Sequence, residues 1–120
     1  MSQLDKALSF KKLHQGLQPF VMPNPWDVGT ARVLASMGFK ALATTSAGLA
    51  FALGRKDAEN ALSRDEVLLN AHDIVNASDL PVSADLENGF GDTPDAVAET
   101  IRMAVAMGLV GGSIEDATGR

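Results

Sequence analysis

Carboxylates recur at three places in this chain where they could meet. Asp57 sits in the charged run Gly54-Arg55-Lys56-Asp57, Asp85-Leu86-Glu87 follows the apolar run Pro81-Val82-Ser83-Ala84, and Glu115-Asp116 follows Val110 to Ile114. If the apolar runs are parallel strands, these acids collect at one rim of a sheet, where they repel one another unless a cation joins them. A hard divalent ion bound by oxygen answers that problem, Mg²⁺ first and Mn²⁺ as its substitute. Such a rim suits an enzyme that handles a small anion through the metal better than it suits a passive scaffold.

Asp85 and Glu87 stand two apart, so both side chains leave an extended strand end on the same side. Gly89-Phe90-Gly91 follows, an open turn where backbone can approach a ligand. A solvated polar loop explains that pair alone equally well, and Glu115 at the next strand end is what turns the balance toward a site. Asp116 reads as a turn cap or as the partner of a basic neighbour. Thr45-Ser46-Ala47-Gly48 is a small-residue turn able to aim N–H groups at a carboxylate or phosphonate, with a plain flexible turn as the simpler account. Arg55 and Lys56 either pair with Asp57 or meet an anionic substrate. Trp26, the only tryptophan, walls a pocket or fills the core. His14 and His72 fall on helices away from the rim and read as structural or surface groups.

The elements that would position these residues alternate between short apolar runs and amphipathic helices. A helix is expected over 3–15 with Leu4, Ala7 and Leu8 in a broken apolar stripe, ended by Gly16. Phe20-Val21-Met22 reads as a first strand, stopped by Pro23-Asn24-Pro25. Asp27 caps a helix running to Met37, with Gly38 at its end. Ala41-Leu42-Ala43-Thr44 is the second strand, and a long loop is expected from Ser46 to Leu62. Ser63-Arg64-Asp65-Glu66 is a capping box, opening a helix that carries Val67, Leu68, Ala71, Ile74 and Val75 inward. After the third strand at 81–84, Thr93 caps a helix with Pro94 in its first turn and Val97, Ile101, Ala104 and Val105 inward. Residues 110–114 form the fourth strand. The repeating unit is βα, which implies an α/β fold of parallel strands with right-handed crossovers. In such arrays the ligand site lies at the C-terminal ends of the strands, here Asn24, Thr45, Asp85 and Glu115.

At 120 residues the chain is read as one domain, 1–120, able to bury a single core. Hydrophobic residues make up 46% and charged residues 21%, which places it among ordinary globular proteins rather than disordered ones. The net charge of −5 and the lack of a Lys/Arg run argue against nucleic acid as a partner. No stretch approaches the roughly 20 apolar residues of a membrane span, and no signal-peptide core is present near Met1, so a cytoplasmic location with no membrane partner is the default. Cysteine is absent, which removes disulfides, thiolate metal sites and cysteine nucleophiles.

Together Phe20-Val21-Met22-Pro23-Asn24-Pro25-Trp26-Asp27, Thr44-Thr45-Ser46-Ala47-Gly48, Asp85-Leu86-Glu87-Asn88-Gly89-Phe90-Gly91 and Ser113-Ile114-Glu115-Asp116 resemble the isocitrate lyase/phosphoenolpyruvate mutase superfamily, in order and over about residues 10–118. The resemblance implies a (β/α)₈ barrel of TIM type, of which this chain would be the first half with an N-terminal helix. It implies an enzyme that makes or breaks C–C or P–C bonds in small 2-oxo, 2-hydroxy or phosphono acids. Asp85 would be the direct Mg²⁺ ligand, with Glu87, where relatives commonly have Asp, and Glu115 holding the metal directly or through water. Asp57 matches a loop acid that reaches the metal's water shell, so Asp57 and Glu115 are the catalytic candidates. Thr45, Ser46, Ala47 and Gly48, with Trp26 nearby, match the substrate-binding segment.

Two departures follow from the same resemblance. The lyases carry a Lys-Lys-Cys-Gly-His motif soon after the Glu-Asp pair, whereas this chain has no cysteine and runs to Arg120 through Ala117-Thr118-Gly119. Decarboxylase or P–C chemistry is therefore expected over a classical isocitrate or methylisocitrate lyase. A barrel takes roughly 200 residues or more, so a half should have open edges, associate as a homo-oligomer or require its missing C-terminal half, and turn over little by itself. A non-catalytic metal- or anion-binding α/β module, and a half barrel that pairs with itself, are the alternatives.

Overall fold

Three parallel strands pair in chain order: β1 (Leu42–Ala43), β2 (Val82–Asp85) and β3 (Gly111–Ser113). The computed structural model describes residues 1–58 and 61–118; the 59–60 stretch of the expected loop and the end at Gly119 and Arg120 lie outside the described residues. Among the described residues five helices complete the architecture: α1 (Gln3–His14), α2 (Val28–Ser36), α3 (Ser46–Ala52), α4 (Arg64–Ala77) and α5 (Pro94–Ala106). Leu42 lies opposite Val82, Ser83 opposite Gly111, and Asp85 opposite Ser113. That register brings the ends of β2 and β3 level, which is what lets the acids beyond them meet.

Burial alternates along β2. Val82 and Ala84 are buried, whereas Ser83 and Asp85 are half-buried on the opposite face. The buried face joins Leu42 and Leu86 to Val67, Leu68, Ala71, Ile74 and Val75 of α4 in one apolar core. Each fully buried Leu or Ile contributes roughly 1.5–3 kcal/mol, so this sheet–α4 layer supplies most of the cohesion. The caps foreseen at Asp27, Ser63 and Thr93 are formed, and Asp27 and Ser63 sit in reciprocal capping boxes. The Thr30 backbone N–H, then its hydroxyl, holds the Asp27 carboxyl below its usual range.

Several expectations are corrected. Phe20-Val21-Met22 is not a strand; Pro23 instead accepts a single ladder bond from Ala43 N–H (3.0 Å), and Asn24 Nδ2 donates to Ala43 O (3.1 Å). Prolines at 19, 23 and 25 lack the N–H a ladder needs, so the segment runs beside β1 without becoming a strand, and the described residues hold three strands rather than four. The expected 46–62 loop opens with a helix, α3, because the Thr45 hydroxyl accepts Gly48 N–H (3.2 Å) as an N-cap for an alanine-rich run. In α5 the fully buried face is Thr100 and Ala104, while Ile101 and Val105 are 40% and 54% exposed. They line an apolar groove beside β3 together with Leu4 and Ala7 of α1, a helix with no buried residue. Gln3 Nε2 anchors α1 there by donating to Val105 O (2.8 Å) and Leu109 O (3.1 Å).

Arg55 does not pair with Asp57 as one expectation had it. Its guanidinium donates to Glu66 Oε2 (2.7 Å) and Ala61 O (3.1 Å), tying the loop that carries Asp57 to the start of α4. That bond, with the Ser63 N–H next, holds the Glu66 carboxyl at about 2 against an ordinary 4.5. A pKa lower in the folded state means stabilisation fully present above pH 4.5 and lost as pH falls through about 2. Glu66→Gln should therefore melt below the parent chain at neutral pH, with the gap closing toward pH 2; thermal unfolding followed by circular dichroism across that range checks it.

Candidate active site

The site is assembled where β1 and β2 end. Asp85, the last residue of β2, is reached by three donors or acceptors from neighbouring segments. Its backbone N–H donates to Thr44 Oγ1 (3.0 Å), its Oδ2 accepts from Ser46 N–H (3.0 Å), and its Oδ1 accepts from Glu87 N–H (3.1 Å). The carboxylate thus ties the first residue of α3 to the turn after β2. Two oxygens offer about four lone-pair sites, so two backbone donors do not exhaust it.

Beyond Asp85 the chain enters an unusual turn. Glu87 and Phe90 have φ of 50° and 61°, a region L-residues with a Cβ seldom adopt. Glu87 is 8% exposed, and its carbonyl accepts Glu115 N–H at 2.7 Å, which fastens the end of β2 to the segment after β3. Phe90 N–H donates to Asn88 Oδ1 (2.9 Å), a local turn of the kind Asn favours.

Asp57, Glu87 and Glu115 then line one cleft of about 180 Å³ with Ser46, Ala58, Asn88 and Ala117. Ser46 Oγ reaches Asp57 Oδ1 at 3.5 Å, the outer limit of a hydrogen bond. The structure therefore brings together acids from three separate parts of the sequence. Asp85 flanks this cleft through Ser46 and Glu87 rather than lining it. Asp116 is exposed in the adjoining cleft with Asp92 and Thr93. Asn88 was passed over in reading the sequence, although its place beside Glu87 and before a glycine was the available signal.

All these donors are hard oxygens, the chemistry Mg²⁺ or Mn²⁺ takes. Among the described residues no three His, Cys, Asp or Glu side chains are drawn close enough to hold an ion by themselves. Mg²⁺ commonly keeps several waters and is held by one or two carboxylates plus substrate, so this donor set fits it without an all-protein cage.

The Thr45–Gly48 segment is placed beside the cleft, with two of its amides engaged inside the chain: Ser46 N–H on Asp85 and Gly48 N–H on Thr45. Trp26 is not in the cleft. It is 45% exposed and lies against α3, edge-on to Phe51 with ring centroids 6.2 Å apart, and Asn70 Nδ2 donates to its carbonyl (3.0 Å). Trp26 thereby braces α3 from outside instead of walling the cleft. His14 packs edge-on to Phe10 and Phe20, and His72 Nδ1 shares a hydrogen bond with Met107 O (3.0 Å), both structural as expected. Among the described residues no helix is long and apolar enough to cross a membrane.

The family model of phosphoenolpyruvate phosphomutase matches residues 10–120. An uncharacterised protein of Mycobacterium tuberculosis is 35% identical over 111 residues, covering 92% of this chain and 41% of its own length. The 2,3-dimethylmalate lyase of Eubacterium barkeri is 31% identical over 114 residues, covering 94% of this chain and 39% of its own. A Burkholderia cenocepacia protein, provisionally described as a lyase/mutase, has a crystal structure that superposes with a TM-score of 0.95 at 61% identity, covering 98% of this chain and 42% of that one. This chain thus spans about two fifths of the length of the relatives it matches.

One feature of the site explains why a glycine stands in α3. A Cβ at Gly48 would lie 2.3 Å from Trp26 Cδ1 and 2.4 Å from Nε1, so the indole occupies the space a side chain would need. Gly48→Ala is expected to cost about 1–3 kcal/mol by overpacking. A Cβ there would also lie 2.7 Å from Thr45 Cγ2, so in a Trp26→Ala background the same change should cost less without becoming free, a coupling that a double-mutant cycle by chemical denaturation measures.

Proposed function

Because this chain belongs to the phosphoenolpyruvate mutase/isocitrate lyase superfamily, whose members include lyases and mutases, and carries the opening βα units of its (β/α)₈ barrel, we propose that it forms the metal-side part of an Mg²⁺-dependent enzyme acting on a C–C or P–C bond of a small 2-oxo or phosphono acid. The observation that carries this reading is the single cleft shared by Asp57, Glu87 and Glu115 with Ser46 at its wall. Asp85, Glu87 and Glu115 would hold the ion, directly or through water, and Mn²⁺ could replace it. When bound, the ion supplies positive charge beside the substrate oxygen that takes up negative charge as the bond breaks.

The chain's own groups then have separate tasks. Asp57 lies on a loop fixed by Arg55 and within reach of Ser46 Oγ, and it would hold a proton or a water in the cleft. Glu115, its backbone fastened to Glu87, is the second candidate for that work. Thr45 to Gly48 would orient the substrate's carboxylate from the β1 side. The apolar groove beside β3 has to be covered before turnover is efficient, by further strands of the barrel or by a second copy, so the whole barrel is the catalytic unit in this proposal.

Oxalate mimics the planar, chelating anion such a reaction creates. Calorimetric titration should show oxalate binding that requires Mg²⁺, weakened about 10-fold or more by Asp57→Asn and Glu115→Gln, both of which keep the backbone bonds described above. A folded parent chain that binds oxalate equally well without Mg²⁺, or not at all, would sink the assignment in favour of a non-catalytic module.

A further inference from the structure

The turn after β2 is held in a conformation it would not keep alone. Glu87, Gly89 and Phe90 have φ of 50°, 88° and 61°, three left-handed residues among four. Backbone of this kind persists only where its surroundings over-determine it. Bonds inside the turn contribute: Gly89 N–H donates to Leu86 O (2.8 Å) and Phe90 N–H to Asn88 Oδ1 (2.9 Å). Bonds from outside the turn contribute too, among them Glu115 N–H on Glu87 O (2.7 Å) and the Thr100 hydroxyl on Gly89 O (2.6 Å).

Thr100 is fully buried in the middle of α5. A threonine inside a helix ordinarily satisfies its hydroxyl on the carbonyl four residues back. Here that alternative, Ala96 O, is 3.2 Å away, and the shorter bond goes to a different segment. Arg64 Nη1, at the start of α4, lies 3.5 Å from Thr100 Oγ1 and donates toward it, leaving the hydroxyl proton for a carbonyl, of which Gly89 O is the nearer. Val97, one turn earlier on α5, packs where a Gly89 side chain would stand, 2.7 Å from a Cβ built there. Thr100 and Val97 thus grip Gly89 from one helix, two residues past Glu87.

The geometry points to Thr100 as a positioning residue: its hydroxyl, by fixing Gly89 O, holds the left-handed turn that presents Glu87 to the acidic cleft. This rests on the cleft being the metal site proposed above. Nothing in core packing calls for the hydroxyl, since valine has the same shape.

Thr100→Val removes the proton and keeps the shape, Thr100→Ser keeps the hydroxyl, and Thr100→Ala is the second deletion variant should valine prevent folding. Amide hydrogen exchange reads the turn without metal. In Thr100→Val the amides of Gly89, Phe90 and Glu115 should exchange faster while those of α4 are unchanged, and Thr100→Ser should restore the parent pattern. Mn²⁺ affinity, measured by electron paramagnetic resonance, should fall about 10-fold in Thr100→Val and recover in Thr100→Ser. Faster exchange spread evenly over α4 and β2, unchanged turn amides, or no recovery in the serine variant would overturn the role. A parent chain that binds no Mn²⁺ would remove the metal reading only, and the exchange pattern would still decide for or against Thr100.

Discussion

The carboxylate of Asp85 accepts one N–H from Ser46 and one from Glu87, and the arrangement of the whole acidic rim descends from that pair of bonds. β2 is the central strand, so its last residue can reach a helix entering beyond β1 and a turn leading toward β3. With Asp85 fixed, Ser46 begins α3 at a set place, and its hydroxyl comes within reach of Asp57. Glu87 is set on the other side, and its carbonyl in turn receives Glu115 N–H. Asp85, Glu87 and Glu115 are thereby placed through bonds that involve backbone groups, and Asp57 is reached by the Ser46 hydroxyl, without any acid having to attract another.

That matters because the electrostatics of the cleft oppose its assembly. The chain carries a net charge of −5, and three carboxylates line one small cleft. Like charges gathered in this way repel one another. The arrangement is kept by backbone groups, whose geometry is set by the sheet register and by the core between the sheet and α4. Arg55, the nearest arginine in sequence to Asp57, is engaged by Glu66 and steadies the loop instead of neutralising the cleft.

Much of this was legible in the residues because the signals were local. Asp27, Ser63 with Glu66, and Thr93 with Pro94 each announce a helix start through a bond within four residues, and each cap is present. The acids at 85, 87 and 115 could be placed at strand ends because the apolar runs before them are short and clearly bounded. What escaped depends on partners distant in sequence. The helix at 46–52 is capped by Thr45, but the helix-weakening glycine that Trp26 requires at position 48 concealed it. The 20–22 segment has strand-like residues, but prolines on both sides decide against a ladder. Nothing near Thr100 in sequence marks its role, since its partner lies 11 residues upstream in the turn after β2.

The exposed apolar residues follow from the same frame. Ile101 and Val105 have helical spacing that would bury them in a complete α/β layer, yet they border a groove of about 480 Å³ along the free side of β3. The superfamily to which its structural neighbours belong has a barrel fold, and this chain spans about two fifths of their length. Their exposure is thus what a parallel sheet shows on the side where the next βα unit belongs, since a strand edge presents unpaired backbone and its flanking helix an uncovered face. The acidic cleft does not share this incompleteness: Asp57, Asp85, Glu87 and Glu115 are all held by bonds among β1, β2, β3 and the segments that follow them. Positioning of the acids and closure of the barrel are therefore separable problems in this fold, the first met by Asp85 and the turn it anchors, the second by whatever covers β3.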